Sequence, residues 1–97
     1  MTTFREITAT IRSNRKELQQ DYGLLKIGIF GSYARDEQDK NSDVDILVEI
    51  KRPMGLIKLM GLERRLSGLL NTKVDLVTKK ALKPYIGKRV LEEVRYV

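Results

Sequence analysis

Three carboxylates and one glycine–serine pair are the residues of this chain whose types and spacing can do chemistry. Asp43 and Asp45 flank Val44 at the opening of the apolar run Val44-Asp45-Ile46-Leu47-Val48-Glu49-Ile50. Residues i and i+2 of a strand share a face, so both carboxylates project together while Val44 points the other way. Like charges that close repel, and Mg²⁺, a hard divalent cation preferring oxygen ligands, offsets the repulsion. Asp75 lies inside a second apolar run, Val74-Asp75-Leu76-Val77, where a carboxylate costs free energy unless it is paired or at a solvent-facing edge. If the two runs are neighbouring strands, Asp75 stands beside Asp43 and Asp45. Gly31-Ser32 follows a third apolar run, Leu25-Lys26-Ile27-Gly28-Ile29-Phe30. Glycine at such a strand-to-helix turn lets backbone approach a ligand, and N–H groups at a helix start favour phosphate. Arg35, one turn into the short helix expected there, can contact a phosphate or pair with Asp39 or Glu37.

Each part alone has an ordinary reading. A Gly-Ser pair is commonly just a turn, a D-x-D in a polar loop commonly serves solubility, and Asp75 can pair with a neighbour such as Lys73. Other motifs fail on inspection. Asp39, Asn41 and Asp43 imitate the alternating oxygens of a calcium loop, but Val44 and Ile50 stand where that loop needs Gly and Glu. Neither a G-x-G-x-x-G nor a G-x-x-x-x-G-K-[ST] string is present. The chain has no His and no Cys, which removes imidazole bases, thiolate sites and disulfides and leaves carboxylates, Lys and Tyr for acid–base or metal work.

The elements that must position these groups follow from periodicity. Thr3 and Glu6 have capping-box spacing, and Phe4, Ile7, Ile11, Leu18 and Tyr22 fall on one stripe, predicting a helix over 4–22 that Gly23 ends. Three strands come after it, over 25–30, 44–50 and 74–77. A helix is expected from Pro53 with Leu59, Leu62, Leu66, Leu69 and Leu70 inward, broken at Asn71-Thr72. Another is expected from Pro84 with Ile86, Val90, Leu91 and Val94 inward. The order αβαβαβα implies an α/β (α+β) fold, a small mixed sheet flanked by helices in two or three layers.

Ninety-seven residues suit a single domain spanning 1–97, with little room for a second, substrate-binding lobe. The N-terminus carries no apolar signal core and no apolar run approaches membrane-spanning length, so a soluble, cytoplasmic protein is expected. A net charge of +6 favours anionic partners. The cations are scattered among Glu residues, which fits a solvated surface or protein interface better than a nucleic-acid footprint.

Gly31-Ser32, ten intervening residues, Asp43-Val44-Asp45 and a later Asp75 together resemble the signature of the DNA polymerase β-like nucleotidyltransferase superfamily. Gly28-Ile29-Phe30-Gly31-Ser32-Tyr33-Ala34-Arg35 with Ser42-Asp43-Val44-Asp45-Ile46-Leu47-Val48 is similar to its minimal subfamily, the MntA-like antitoxins, over nearly the whole chain. The resemblance implies that Gly31 and Ser32 bind a nucleoside triphosphate, expected to be ATP. Asp43, Asp45 and Asp75 would hold Mg²⁺, expected as two ions, and Asp75 would serve as general base toward an acceptor hydroxyl. It implies an antitoxin that adenylylates a tyrosine of a HEPN-domain (HepT-like) toxin. The acceptor site would come from that partner or from a self-association surface. Two alternatives stay open: an antitoxin that masks its toxin through its basic helices and the apolar Val94-Arg95-Tyr96-Val97 segment, and nucleotidyl transfer to a small molecule or RNA. One departure stands out. Many relatives have Gly after the Ala-Arg pair, whereas Asp36-Glu37-Gln38 stand here.

Overall fold

The computed structural model describes residues 2–82 and 84–97, without the side chains of 84–86. Helices α1 (Phe4–Ser13) and α2 (Arg15–Tyr22) lead into strand β1 (Leu24–Phe30), and a short 3₁₀ turn, Gly31–Tyr33, starts the connection to β2 (Val44–Ile50). Helix α3 (Leu56–Leu70) precedes β3 (Val74–Thr78), and after the 3₁₀ turn Lys79–Ala81 the chain ends in α4 (Pro84–Glu93) and β4 (Arg95–Tyr96). The four strands form one mixed sheet in the order β3-β2-β1-β4.

Its topology explains how one end collects the chemistry. β2 and β3 are parallel, joined through α3, so both strands begin at the same end. β1 runs antiparallel to β2, so its last residues, and the Gly31 turn after them, arrive at that end too. Three separate stretches of sequence converge there because two strands enter where the third leaves.

One face of the sheet carries the main core. Ile27 and Ile29 of β1, Val44, Ile46 and Val48 of β2, and Val74 and Leu76 of β3 alternate inward against Ile7 and Ile11 of α1, Leu18 of α2 and Leu62, Leu66 and Leu70 of α3. Glu17 and Arg65 join α2 to α3 through two hydrogen bonds of 2.7 and 2.9 Å. The exposed edge of β3 is covered from α3. Ser67 Oγ accepts the Val74 N–H at 3.1 Å and Glu63 Oε2 the Leu76 N–H at 3.2 Å, occupying donors that would otherwise template another strand. The opposite face bears Asp45, the fully buried Leu47 and Glu49. A Cβ on Gly28, which lies across from Leu47, would stand 2.5 Å from Val94 Cγ2. That contact accounts for a strand glycine here.

Several expectations are corrected. The helix expected over 4–22 is two helices, because Asn14 leaves helical geometry (φ −111°, ψ 8°) and its Nδ2 donates back to the Thr10 carbonyl at 2.8 Å. Only the first half of the predicted capping box forms, Thr3 Oγ1 accepting from the Glu6 N–H at 3.2 Å. Gly23 ends α2 and Asn71 ends α3 as expected, both left-handed (φ 67° and 51°). α3 starts at Leu56 after Gly55 rather than at Pro53; Pro53 lies in the loop leading to it, and Met54 packs against the core. No full helix comes after Gly31, so Arg35 lies in a turn beyond three 3₁₀ residues. In α4, Val90 is buried but Leu91 is 42% exposed, and the Ile86 side chain lies outside the described residues. The C-terminal segment weighed as a masking surface forms the exposed edge strand of the sheet, which leaves that reading open. Arg95 and Tyr96 pair with Ile29 and Gly28, and the Val97 N–H donates to the Ile27 carbonyl at 2.9 Å.

Candidate functional site

Asp45 is the centre of the converging end. In the parallel register it lies directly beside Asp75, and neighbours across a sheet share a face. Asp43, two residues before it, sits at the mouth of the same strand. On the other side Asp45 is the register partner of Phe30, the last strand residue before Gly31. The turn closes down on the carboxylate. Gly31 has φ 74°, and a Cβ there would lie 2.0 Å from Asp45 Oδ2. Both the backbone conformation and the close approach therefore require glycine. Behind the turn, buried Tyr33 anchors the loop in the core. Its phenol is pushed above its ordinary pKa by burial first, then by the charges of Asp39 and Asp43.

The electrostatics single out Asp45. Burial, then repulsion from Asp75, Asp43 and Glu93, raises its pKa from 3.8 to about 6, with Arg35 acting in the opposite direction. Asp75 is exposed, and Asp43, like Asp45, is half-buried. Lys73, weighed as a partner for Asp75, reaches Asp43 instead, 3.9 Å from Oδ2. Arg35 bonds Glu37 at 3.2 Å, as expected, and not Asp39. Its second partner is Glu93, at the end of α4. The Glu37 hydrogen bond and then the Glu93 charge hold the guanidinium firmly protonated.

Glu93 is the site residue that sequence reasoning missed. Its Oε1 accepts the Gly31 N–H at 2.8 Å and the Arg35 Nη1 at 2.5 Å. Sixty-two positions separate it from Gly31, and in sequence it is one acid of a Glu-Glu pair on an amphipathic helix. Only the return of α4 into β4 carries it there.

The residues fit a divalent metal in donor type and in charge. Half-buried Asp45 resists ionisation beside two further carboxylates, and a hard cation among their oxygens relieves that cost. Among the described residues no three carboxylates stand close enough to enclose an ion, so gathering Asp43, Asp45 and Asp75 around one requires side-chain rotation. A cleft of about 480 Å³, lined by Leu25, Ile50, Met54 and Leu59 among others, lies at the far end of the sheet, away from every one of these groups.

The nucleotidyltransferase domain model matches residues 11–97. Protein adenylyltransferase MntA of Thermococcus cleftensis is 46% identical over 97 residues, covering 100% of this chain and 98% of the relative. Among solved structures, one described as a candidate minimal nucleotidyltransferase superposes with a TM-score of 0.83 at 29% identity, over 97% of this chain and 95% of its own. A toxin–antitoxin structure solved with AMP-PNP superposes with a TM-score of 0.73 at 26% identity, over 98% of this chain and 72% of its own.

Proposed function

The chain belongs to the nucleotidyltransferase domain family and is a nucleotidyltransferase; from that premise we propose that it moves AMP from ATP onto a hydroxyl of a partner protein. The observation that carries this reading is the closure of Gly31 onto Asp45 at the one sheet end where Asp43 and Asp75 also arrive. That arrangement sets an amide-lined turn against a cluster of oxygen donors, which is the pair of surfaces that a triphosphate with its counter-cation needs.

In this reading Gly31 and Ser32 receive the phosphates and Arg35 balances their charge. Asp43, Asp45 and Asp75 hold Mg²⁺, which when bound neutralises charge on the triphosphate and on the departing pyrophosphate. Asp75, the most exposed of the strand acids, accepts the proton of the acceptor hydroxyl. The hydroxyl oxygen forms a bond to the α-phosphorus as the bond from that phosphorus to the oxygen bridging to the β-phosphate breaks. AMP is left on the acceptor, and pyrophosphate leaves with the bond's electron pair. The protein contributes positioning and charge rather than covalent chemistry.

Asp75, the base in this reading, is exposed on the sheet, where the surface of a macromolecular acceptor can reach it. The partner we propose is a HEPN-type toxin with an acceptor tyrosine, the chain acting as its antitoxin in the cytoplasm. The relative named as a protein adenylyltransferase supports this, as does the toxin–antitoxin neighbour holding an ATP analogue. The test is incubation with ATP labelled at the α-phosphate, Mg²⁺ and a HEPN protein encoded beside this chain. Label is expected on the HEPN protein with Mg²⁺ and not with EDTA. Undiminished transfer by an Asp43→Ala, Asp45→Ala double variant would refute the site, and label appearing only on RNA or a small molecule would refute the acceptor class.

A further inference from the structure

The N–H of Gly31 and the guanidinium of Arg35 are the two donors of the turn that an incoming phosphate would use, and one carboxylate oxygen holds both. Glu93 Oε1 accepts from each, at 2.8 and 2.5 Å. A carboxylate bridging a backbone amide and an arginine presents the same charge-assisted acceptor geometry as a phosphate oxygen. The surroundings make its place costly. Asp43, Asp45 and Asp75 already crowd this end, and Asp45 feels the charge of Glu93 directly. A triphosphate would bring several more negative charges to the same donors.

We propose that Glu93 is an internal stand-in for phosphate, which occupies two donors of the triphosphate site and must yield Gly31 and Arg35 before ATP can be held. This rests on the reading of Gly31 and Arg35 as phosphate contacts. The release falls to the Glu93 side chain, because the chain beyond it is tied down: Arg95–Tyr96 pair with β1, the Val97 N–H donates to the Ile27 carbonyl, Arg15 donates to the Val97 carbonyl, and Arg95 lies over the Phe4 ring. Side-chain rotation alone would free the donors. Glu93 is thus a positioning residue. It sets what fraction of molecules presents an open site, and apparent affinity falls in proportion to that fraction.

The experiment compares the full chain with Glu93→Gln, which keeps the side-chain shape and an acceptor for Gly31 but removes the charge that binds Arg35. Glu93→Asp, which keeps the charge on a shorter arm, is the companion. Equilibrium binding of ATP is measured by titration calorimetry with EDTA and again with Mg²⁺. Glu93→Gln is expected to bind ATP roughly three- to tenfold more tightly under both conditions, and Glu93→Asp by a smaller factor. Unchanged or weaker binding with EDTA by a Glu93→Gln chain that keeps its circular dichroism overturns the proposal. A loss confined to the Mg²⁺ titration would make Glu93 a metal ligand and overturn it equally. If the parent itself binds no ATP, the triphosphate reading falls and this inference with it; if the parent binds and only Glu93→Gln fails to gain, the inference alone falls.

Discussion

Strand β2 shows two faces to two different problems. Val44, Ile46 and Val48 point to the helical side and are fully buried, each between neighbours from β1 or β3 and the helices α1 to α3. One residue out of step, Asp45, Leu47 and Glu49 point the other way. There only Leu47 is fully buried, Asp45 is crowded by carboxylates, and Glu49 pairs with Lys79 at 3.5 Å. The first face lowers free energy by removing apolar surface from water. The second raises it by holding like charges together in a partly dehydrated place. A period of two lets one strand serve both, so stability and chemistry are written on alternate residues of the same seven.

The sharpest way to break that comparison is to make one substitution on each face. Asp45→Asn is expected to lower AMP transfer on the order of a hundred- to a thousandfold, while metal-free thermal stability at neutral pH rises. Ile46→Ala, next door in sequence, is expected to do the reverse. It should cost about 2–5 kcal/mol of stability and leave transfer per folded molecule near the parent's, read at a temperature where the variant is still folded. If Asp45→Asn loses as much stability as Ile46→Ala, the two faces are not separable and the site also holds up the fold. Gly31→Ala belongs with the first result. Its methyl meets Asp45 at a backbone angle that L residues avoid, so it should lose nucleotide binding along with transfer.

The same division explains what was legible beforehand. That Asp45, Asp75 and Gly31 would meet at one sheet end was readable because each sits in a local pattern: an acid breaking an apolar strand, or a glycine at the end of one. The buried aliphatic positions of α1 to α3 were readable from period, whereas Thr8 is buried without having been on the stripe and Leu69 stays outside the core. Glu93 was not, since nothing within ten residues of it points to Gly31. Its role depends on α4 turning back into a two-residue strand too short to register as one. The break at Asn14 was hidden because its side chain competes with the helix ladder without disturbing the apolar stripe on either side. Leu91 failed in the opposite sense, an apolar residue on a helical stripe that stays exposed.

A pH series sharpens the cost of the charged face. The carboxyl of Asp45 titrates near 6 in the folded chain against an ordinary 3.8. Between those values the folded chain holds more protons than the unfolded chain, so the stability due to this group falls as pH rises through that window. After allowance for solvent screening, the parent should lose about 1–2 kcal/mol there relative to Asp45→Asn. The measurement is urea unfolding of both proteins at intervals from pH 4 to 7 in EDTA. Parallel curves would mean that neighbouring side chains relax and relieve the repulsion. Saturating Mg²⁺ should shrink the difference, because a bound cation favours the ionised form that the folded chain otherwise resists.

The smallest effect concerns the loop between the two strands, where Asp36 comes after the Ala34-Arg35 pair with φ 58°. Aspartate is one of the few L residues that adopts this left-handed conformation at modest cost. Two contacts of Glu37 depend on that conformation. Its N–H donates to the Ser32 carbonyl at 2.8 Å, and its side chain bonds Arg35, so the turn that aims Arg35 closes through residue 36. Asp36→Gly should therefore leave nucleotide binding unchanged and add at most about 0.5–1 kcal/mol, strain relief being partly offset by the freedom glycine gains when unfolded. Asp36→Val, a β-branched residue that avoids positive φ, should lose stability and weaken ATP binding as Arg35 moves off its mark. Unfolding midpoints and ATP titrations on the pair decide it. Equal behaviour of the glycine and valine variants would mean that this loop does not position the charged face at all.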